Sequence, residues 1–303
     1  MTEMQRYLAE EVAEDLADGI ITRREAVRRL GLLGVTGATA AGLLTAVATG
    51  KAATAGPQAP AGQLSTDDST ETSWAPVPRE SITFAGPRGP LMAAWAAAAK
   101  PRGGVLVIHE NRGLTEHIRT VAGRLAASGY SALALDLLSE EGGTGSFPDE
   151  AAVAAALAQI PPERFVEDMK ASVTELRRRV SGKKLAAIGF CFGGGMVWRL
   201  LASREPRLVA AAPFYGPFPE GGSLAGNRAA VLGVYGGLDS RINATLPAAK
   251  AALEAAGLTH ELLMFTEANH AFFNDTGTRF NPHAATEVWR RALNWFDTTG
   301  EDG

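Results

Sequence analysis

The chain has 303 residues, with 29 Lys and Arg against 33 Asp and Glu, and a formal net charge of −4. Apolar content of 46 % with charges of both signs describes a globular protein, and the lack of a basic patch interleaved with aromatics excludes nucleic acid as a partner. The single cysteine, Cys191, excludes an intramolecular disulfide and any cysteine-cluster metal site.

Residues 1–20 are polar, with Leu8, Val12, Leu16 and Ile20 spaced four apart, which predicts a short amphipathic helix. Thr22-Arg23-Arg24-Glu25-Ala26-Val27-Arg28-Arg29 follows, and then the uncharged stretch Leu30 to Ala48, diluted by Gly31, Gly34, Gly37 and Gly42. This pattern resembles a twin-arginine export signal with a long leading segment, with Ala53-Thr54-Ala55 as the cleavage site. It departs at Ala26, where the usual motif has an aromatic or large apolar residue. The expected location is therefore periplasmic or extracellular. An N-terminal helical hairpin or an uncleaved membrane anchor is the alternative, and the cytoplasm is then the alternative location. Contact with a membrane is expected only through this segment. Residues 57–80, rich in Pro, Ser, Thr and Gly, read as a flexible linker. The expected organisation is an export segment over 1–56, that linker, and a folded domain over 81–298.

In the folded region the periodicities alternate. Ile82 to Ala85 and Leu91 to Ala98 predict two strands joined by the turn Gly86-Pro87-Arg88-Gly89-Pro90. Gly104 to His109 predicts a strand buried on both faces, His117 to Ser128 a helix, Ser131 to Leu135 a strand, and Glu163 to Val180 a helix. Further strands are predicted at Leu208 to Phe214, Val231 to Tyr235 and Glu261 to Phe265, with helices at Leu246 to Ala256 and Pro282 to Phe296. Strands alternating with helices at this spacing predict an α/β fold, a mostly parallel sheet covered on both faces, with reactive groups at the C-terminal ends of the strands.

The stretch Leu185 to Trp198 reads as a nucleophile elbow with sulfur in place of oxygen: a strand ending at Gly189, a Gly-x-Cys-x-Gly turn, and a helix beginning in the glycines. Gly189 and Gly193 let the backbones approach closely. The turn sets Cys191 over a helix N-terminus, whose dipole favours a thiolate. A buried structural cysteine is the alternative, so the partners decide. A cysteine nucleophile needs a base, and the base needs an orienting carboxylate, following the elbow in the order acid, then histidine. His109 and His117 precede the elbow, His260 starts a strand, and His283 opens the last helix. His270 alone lies just past a strand's C-terminal end, which makes it the expected base. Asp239, immediately after Val231 to Tyr235, is the expected acid. Asp275 and Asp297 lie on the wrong side of His270, and Asp136 precedes the elbow.

Residues 108–114, Ile-His-Glu-Asn-Arg-Gly-Leu, follow the strand where an elbow hydrolase takes its second oxyanion-hole amide. The backbone N–H groups of Asn111 and Phe192 are therefore the expected oxyanion donors. Glu110 is expected near the thiol, to repel or to accept its proton; a surface pairing with Arg112 or Arg119 is the alternative. No helical spacing puts His109, Glu110 and His117 on one face, so no metal site is expected, and no cofactor.

The motifs at 109–114, Asp136-Leu137, 189–195, Gly-Gly-Leu-Asp at 236–239, and Asn-His-Ala-Phe-Phe-Asn at 269–274 make the region from about Ser81 to Phe296 similar to the dienelactone hydrolase family, the cysteine-dependent branch of the α/β-hydrolases. The resemblance implies an ester or lactone hydrolase acting on a small molecule through a Cys191-His270-Asp239 triad and a thioester. It implies that Glu110 accepts the thiol proton when substrate enters. Family members specific for dienelactone carry two arginines for the substrate carboxylate. Here residues 139–160 contain none, and Asn274 stands near the second position. Arg112, Phe272, Asn274 and Arg279 are the candidates for contact with substrate, Arg279 from a shifted position. A monomer is the expected state. The rival readings are a peroxide-reacting thiol protein, which would lack a second cysteine to resolve a sulfenic acid, and a non-catalytic exported binding domain, which has no need of an intact triad.

Overall fold

The computed structural model describes residues 1–52 and 76–299. The expected cleavage site at Ala53-Thr54-Ala55 and the expected linker up to residue 75 lie outside the described residues. The chain divides into two compact units, one comprising Met1–Trp74 with Ala154–Gln159, the other Ala75–Val153 with Ile160–Gly303.

The first unit contains α1 (Glu3–Ala17), α2 (Arg23–Leu32) and α3 (Gly37–Ala52). A reciprocal cap starts α1: the Thr2 hydroxyl accepts from the Gln5 N–H at 3.1 Å, and the Gln5 side chain accepts from the Thr2 N–H at 2.9 Å. The helix stops short of Ile20, because Asp18 caps it and Gly19 turns the chain at a φ of 71°. The arginine run is helical too. Hydrogen bonds from Arg28 and then Arg29 hold the Glu25 carboxyl down at about 2. Ala26, the departure from the export pattern, is fully buried on the same helix. Among the described residues no helix is long and apolar enough to cross a membrane.

The second unit is built on β1 (Glu80–Ala85), β2 (Pro90–Ala96), β3 (Gly103–Ile108), β4 (Tyr130–Leu135), β5 (Lys184–Phe190), β6 (Leu208–Phe214), β7 (Ala230–Gly236) and β8 (His260–Phe265). They form one eight-stranded sheet in the order β1-β2-β4-β3-β5-β6-β7-β8. The pairs β1·β2 and β2·β4 are antiparallel, and every pair from β4·β3 to β7·β8 is parallel. The uninterrupted apolar runs are the inner strands. Val105, Leu106, Val107 and Ile108 are each fully excluded from water, which stabilises the fold by about 1.5–3 kcal/mol per side chain. The helices α4 (Glu116–Ala127), α6 (Pro162–Arg179), α7 (Phe192–Ala202), α9 (Leu246–Ala255) and α10 (Pro282–Thr298) flank the sheet close to their predicted bounds. Two helices were not predicted. Helix α5 (Glu150–Gln159) is so alanine-rich that it shows no apolar period, and α8 (Ser240–Asn243) is a single turn.

Register is what positions the site. Ile108 pairs with Gly189, Phe190 with Phe214, and Gly236 with Phe265. The loops after β3, β5, β6, β7 and β8 therefore leave the sheet along one edge, which brings together residues far apart in the chain.

Candidate active site

Cys191 sits between β5 and α7 at a φ of 56° and a ψ of −120°, a left-handed backbone that costs a non-glycine residue on the order of 1–3 kcal/mol. The surroundings hold it there. Its N–H donates to the Phe214 carbonyl at 3.0 Å, and its carbonyl accepts from the Gly195 N–H at 3.2 Å. A Cβ on Gly189 would lie 2.2 Å from the Gly193 carbonyl oxygen, and one on Gly193 would lie 2.4 Å from that of Ile108. Both flanking glycines are thus sterically required, and Cys191 stands at the N-terminus of α7 with 2 % exposure.

Asp239 ends the β7 loop and uses both carboxylate oxygens. Oδ1 accepts from the Ile242 N–H at 3.1 Å, capping α8, and Oδ2 lies 2.6 Å from His270 Nδ1. The two loops are knitted by the Leu238 N–H donating to the Ala268 carbonyl at 3.0 Å. Gly236 permits that approach, since a Cβ there would meet the Asn269 carbonyl at 2.7 Å. The His270 N–H donates to Asn269 Oδ1 at 2.7 Å, and Ala271 turns the chain at a φ of 57°. A His270 ring nitrogen lies within 4.8 Å of Cys191 Sγ. Nδ1 is occupied by Asp239, so Nε2 is the nitrogen on the cysteine side.

Charge follows from this geometry. Burial alone would lower the His270 pKa, but the Asp239 carboxylate and the Cys191 sulfur outweigh it and push it well above the usual imidazole range. Burial works against the Asp239 carboxylate as well, and the His270 charge and hydrogen bond overcome it, so Asp239 stays below the ordinary carboxyl value.

Glu110, just past β3, is 3 % exposed, and Asn274 Nδ2 donates to its Oε2 at 2.7 Å. Burial raises its carboxyl pKa; the charges of His117 and Arg112 offset only part of this. The surface pairing does not form: Arg112 reaches Glu150 at 3.4 Å, and Arg119 reaches the Ser81 hydroxyl at 3.5 Å. Asn274, expected on the substrate side, turns inward to Glu110. Phe272 is fully buried, its ring 5.5 Å from Tyr215 and 5.2 Å from Phe265. Arg279 is half-buried and Asn111 half-buried beside Glu110.

His109, His117 and His260 have partners of their own. His109 Nδ1 is 2.6 Å from the Glu110 carbonyl oxygen, and its Nε2 accepts from the Leu137 N–H at 3.1 Å. Burial lowers its pKa, and its ring stacks on Phe192 at 6.5 Å. His109 is thus a neutral strut that ties the β3 and β4 loops and backs the residue after the cysteine. Asp136 binds the loop beyond it, accepting from the Leu138 N–H at 3.1 Å and the Thr144 N–H at 2.7 Å.

Sequence reasoning missed Tyr215. It directly follows β6 at a φ of 36°, fully buried, with its ring edge-on to His270 at 5.3 Å. Burial first, then the nearby Glu110 and Cys191, hold its phenol pKa well above the ordinary value. The hydroxyl therefore keeps its proton beside both groups. A strained tyrosine in an apolar run has no signature short of the structure.

A largely parallel sheet with a Gly-x-Cys-x-Gly strand-helix turn after β5, Asp239 in the loop after β7 and His270 in the loop after β8 has the architecture of the α/β-hydrolase class. Within that class, the model of the dienelactone hydrolase family matches residues 91–300, and the chain belongs to this family. A relative from Escherichia coli O157:H7, named a putative carboxymethylenebutenolidase, is 33 % identical over 231 residues, covering 70 % of this chain and 84 % of its own length. A solved structure described as a putative dienelactone hydrolase from Klebsiella pneumoniae matches with a TM-score of 0.64 and 28 % identity, over 73 % of this chain and 98 % of that one. A dienelactone hydrolase from Anabaena variabilis shares the fold at a TM-score of 0.58 and 20 % identity, over 72 % of this chain and 96 % of that one. The protein is a dienelactone hydrolase-like enzyme acting on ester or lactone bonds.

Proposed function

We propose that the protein is a cysteine-dependent hydrolase in which Cys191 attacks the carbonyl of a small ester or lactone, His270 manages protons and Asp239 orients His270. The observation that carries this reading is the 2.6 Å contact between Asp239 and His270 on the far side of an imidazole that faces the strained elbow cysteine. The N-terminus of α7 favours the thiolate. Glu110 takes the thiol proton as the sulfur attacks, and the oxyanion rests on the N–H groups of Phe192 and Asn111, each worth on the order of 2.7–4 kcal/mol. His270, held protonated, donates to the leaving oxygen. The neutral ring then takes a proton from water, which cleaves the thioester, and the sulfur recovers its proton from Glu110. Each cycle returns every proton to its starting atom.

The buried environment of Glu110 and the pairing of Asn274 with it, where dienelactone-specific relatives place a cation, favour substrates without a carboxylate at that position. Arg112 and Arg279 are the candidates for contact with the remainder of the substrate. We further propose that the segment before the linker directs export by the twin-arginine route, and that residues 81–298 are the hydrolase domain. Hydrolysis of a p-nitrophenyl ester series and of a cis-dienelactone, with Cys191→Ala and Cys191→Ser beside the unaltered chain, tests the chemistry. Turnover of short esters that is lost in Cys191→Ala is expected; turnover that survives it would refute the reading.

A further inference from the structure

Asp136 and Leu137 have no part in the mechanism above, yet residues 136–144 are bonded to both ends of the turn that carries Asn111. The turn at 110–113 is closed by the Gly113 N–H donating to the Glu110 carbonyl at 3.1 Å. Asn111 is the second of its four residues, so its N–H takes no part in the turn's own hydrogen bond. The direction of that N–H is therefore set by what holds the two ends of the turn. At the entry, the Leu137 N–H donates to His109 Nε2 at 3.1 Å. At the exit, the Leu114 N–H donates to the Thr144 hydroxyl at 2.8 Å.

The hydrogen-bond roles at the exit can be assigned atom by atom. Asp136 is 4 % exposed, and its Oδ2 accepts from the Thr144 N–H at 2.7 Å. The Thr144 hydroxyl gives its single proton to Asp136 Oδ1 at 2.9 Å. A hydroxyl whose proton is committed can meet a further polar neighbour only as an acceptor, which is what the Leu114 N–H requires. The same side chain meets the turn by shape. Gly113 stands at a φ of 80°, and a Cβ there would lie 2.4 Å from the Thr144 hydroxyl oxygen and 2.5 Å from its methyl carbon. Thr144 thus lies directly against the backbone of Gly113, its methyl setting how closely the turn approaches and its hydroxyl setting the turn's direction.

We infer that Thr144, oriented by Asp136, is a positioning residue for the oxyanion: it fixes the turn at 110–113 so that the Asn111 N–H points at the oxygen that becomes negative during acyl transfer. It acts through the Leu114 N–H and the Gly113 backbone. The inference rests on the role proposed above for the Asn111 amide.

The test measures kcat and KM for p-nitrophenyl acetate with the full chain, together with the rate of Cys191 alkylation by iodoacetamide. The variants are Thr144→Val, Thr144→Ser, Asn111→Pro and the double variant Thr144→Val/Asn111→Pro. Valine keeps the shape against Gly113 but leaves the Leu114 N–H without its acceptor. Acylation and deacylation pass through the same kind of oxyanion, so kcat should fall by about 10²-fold, the loss that a displacement of about 1 Å can cause, with KM nearly unchanged. Alkylation forms no oxyanion and should keep the rate of the unaltered chain. Serine restores the hydroxyl and should restore most of kcat. Proline lacks the N–H and suits the second position of a turn, so Asn111→Pro should lose about 10²–10³-fold in kcat, and Thr144→Val should add little in that background. Thr144→Ala carries the same comparison if Thr144→Val does not fold. An unchanged kcat in the variant without the hydroxyl, an equal loss in Thr144→Ser, or alkylation slowed along with turnover would make Thr144 a packing residue and overturn the inference. A folded Asn111→Pro chain as active as the unaltered one would instead overturn the oxyanion role of Asn111, and this inference with it.

Discussion

Replacing Asp239 by Asn separates two jobs that one carboxylate performs. Oδ1 caps α8 through the Ile242 N–H at 3.1 Å, and Oδ2 holds His270 Nδ1 at 2.6 Å. Asparagine keeps a cap oxygen, so the fold should persist, whereas Asp239→Ala should also lose the cap, about 1 kcal/mol. The catalytic cost is larger. An asparagine NH2 donates to Nδ1 and forces the ring proton onto Nε2, so the neutral ring cannot take a proton there from the water that cleaves the thioester. The loss expected from this arrangement is about 10⁴-fold in kcat, or about 5.4 kcal/mol at 1.36 kcal/mol per tenfold. The same change alters stability in a signed way. The folded His270 pKa is raised, so its stabilising share is full below the unfolded imidazole value and is lost as pH rises through the raised value. The folded Asp239 pKa is lowered, so its share is present above the unfolded carboxyl value and is lost as pH falls through the lowered one. The stability gap between the unaltered chain and Asp239→Asn should therefore be widest in mildly acid solution, between the unfolded carboxyl and the unfolded imidazole values, and should close at both extremes. Initial rates with p-nitrophenyl acetate and guanidinium unfolding across pH measure both effects. A variant within tenfold of full activity, or a gap independent of pH, would refute the reasoning.

Gly193→Ala places a Cβ 2.4 Å from a backbone oxygen of β3, so it should either fail to fold or lose most esterase activity, measured by soluble yield and turnover; an active, stable variant would contradict the elbow packing. Asp168 on α6 pairs with Arg88 at 2.7 Å with its own side chain 1 % exposed, and burial, only partly offset by Arg88, raises its carboxyl to about 6. A raised carboxyl contributes most below its unfolded value and loses that contribution as pH rises through about 6. Asp168→Asn should therefore flatten the change in stability between the unfolded carboxyl value and about pH 6, read by urea unfolding; an unchanged slope would count against it.

Much of the site was readable because its chemistry is local. The glycines around Cys191 announce a tight strand-helix turn, and chain order singles out Asp239 and His270 at strand ends. What escaped depends on contacts between distant residues. Glu110 could not be told from a surface carboxylate until Asn274, on the loop after β8, was seen to hold it. Tyr215 looks like any aromatic at the end of an apolar strand, since nothing in its type reveals a positive φ. Helix α8 was missed because a single turn capped by Asp239 has no period, and α5 because ten residues of mostly alanine favour helix without marking a face.

The central claim is that Cys191 carries the acyl group, and intact-mass spectrometry of the enzyme quenched in acid within the first turnovers of a slow p-nitrophenyl ester tests it most directly. The account predicts one added acyl group, located on the Cys191 peptide, released by neutral hydroxylamine and absent from Cys191→Ala. An acyl group found on another residue, or turnover with no acyl group in a Cys191→Ala chain as active as the unaltered one, would contradict it.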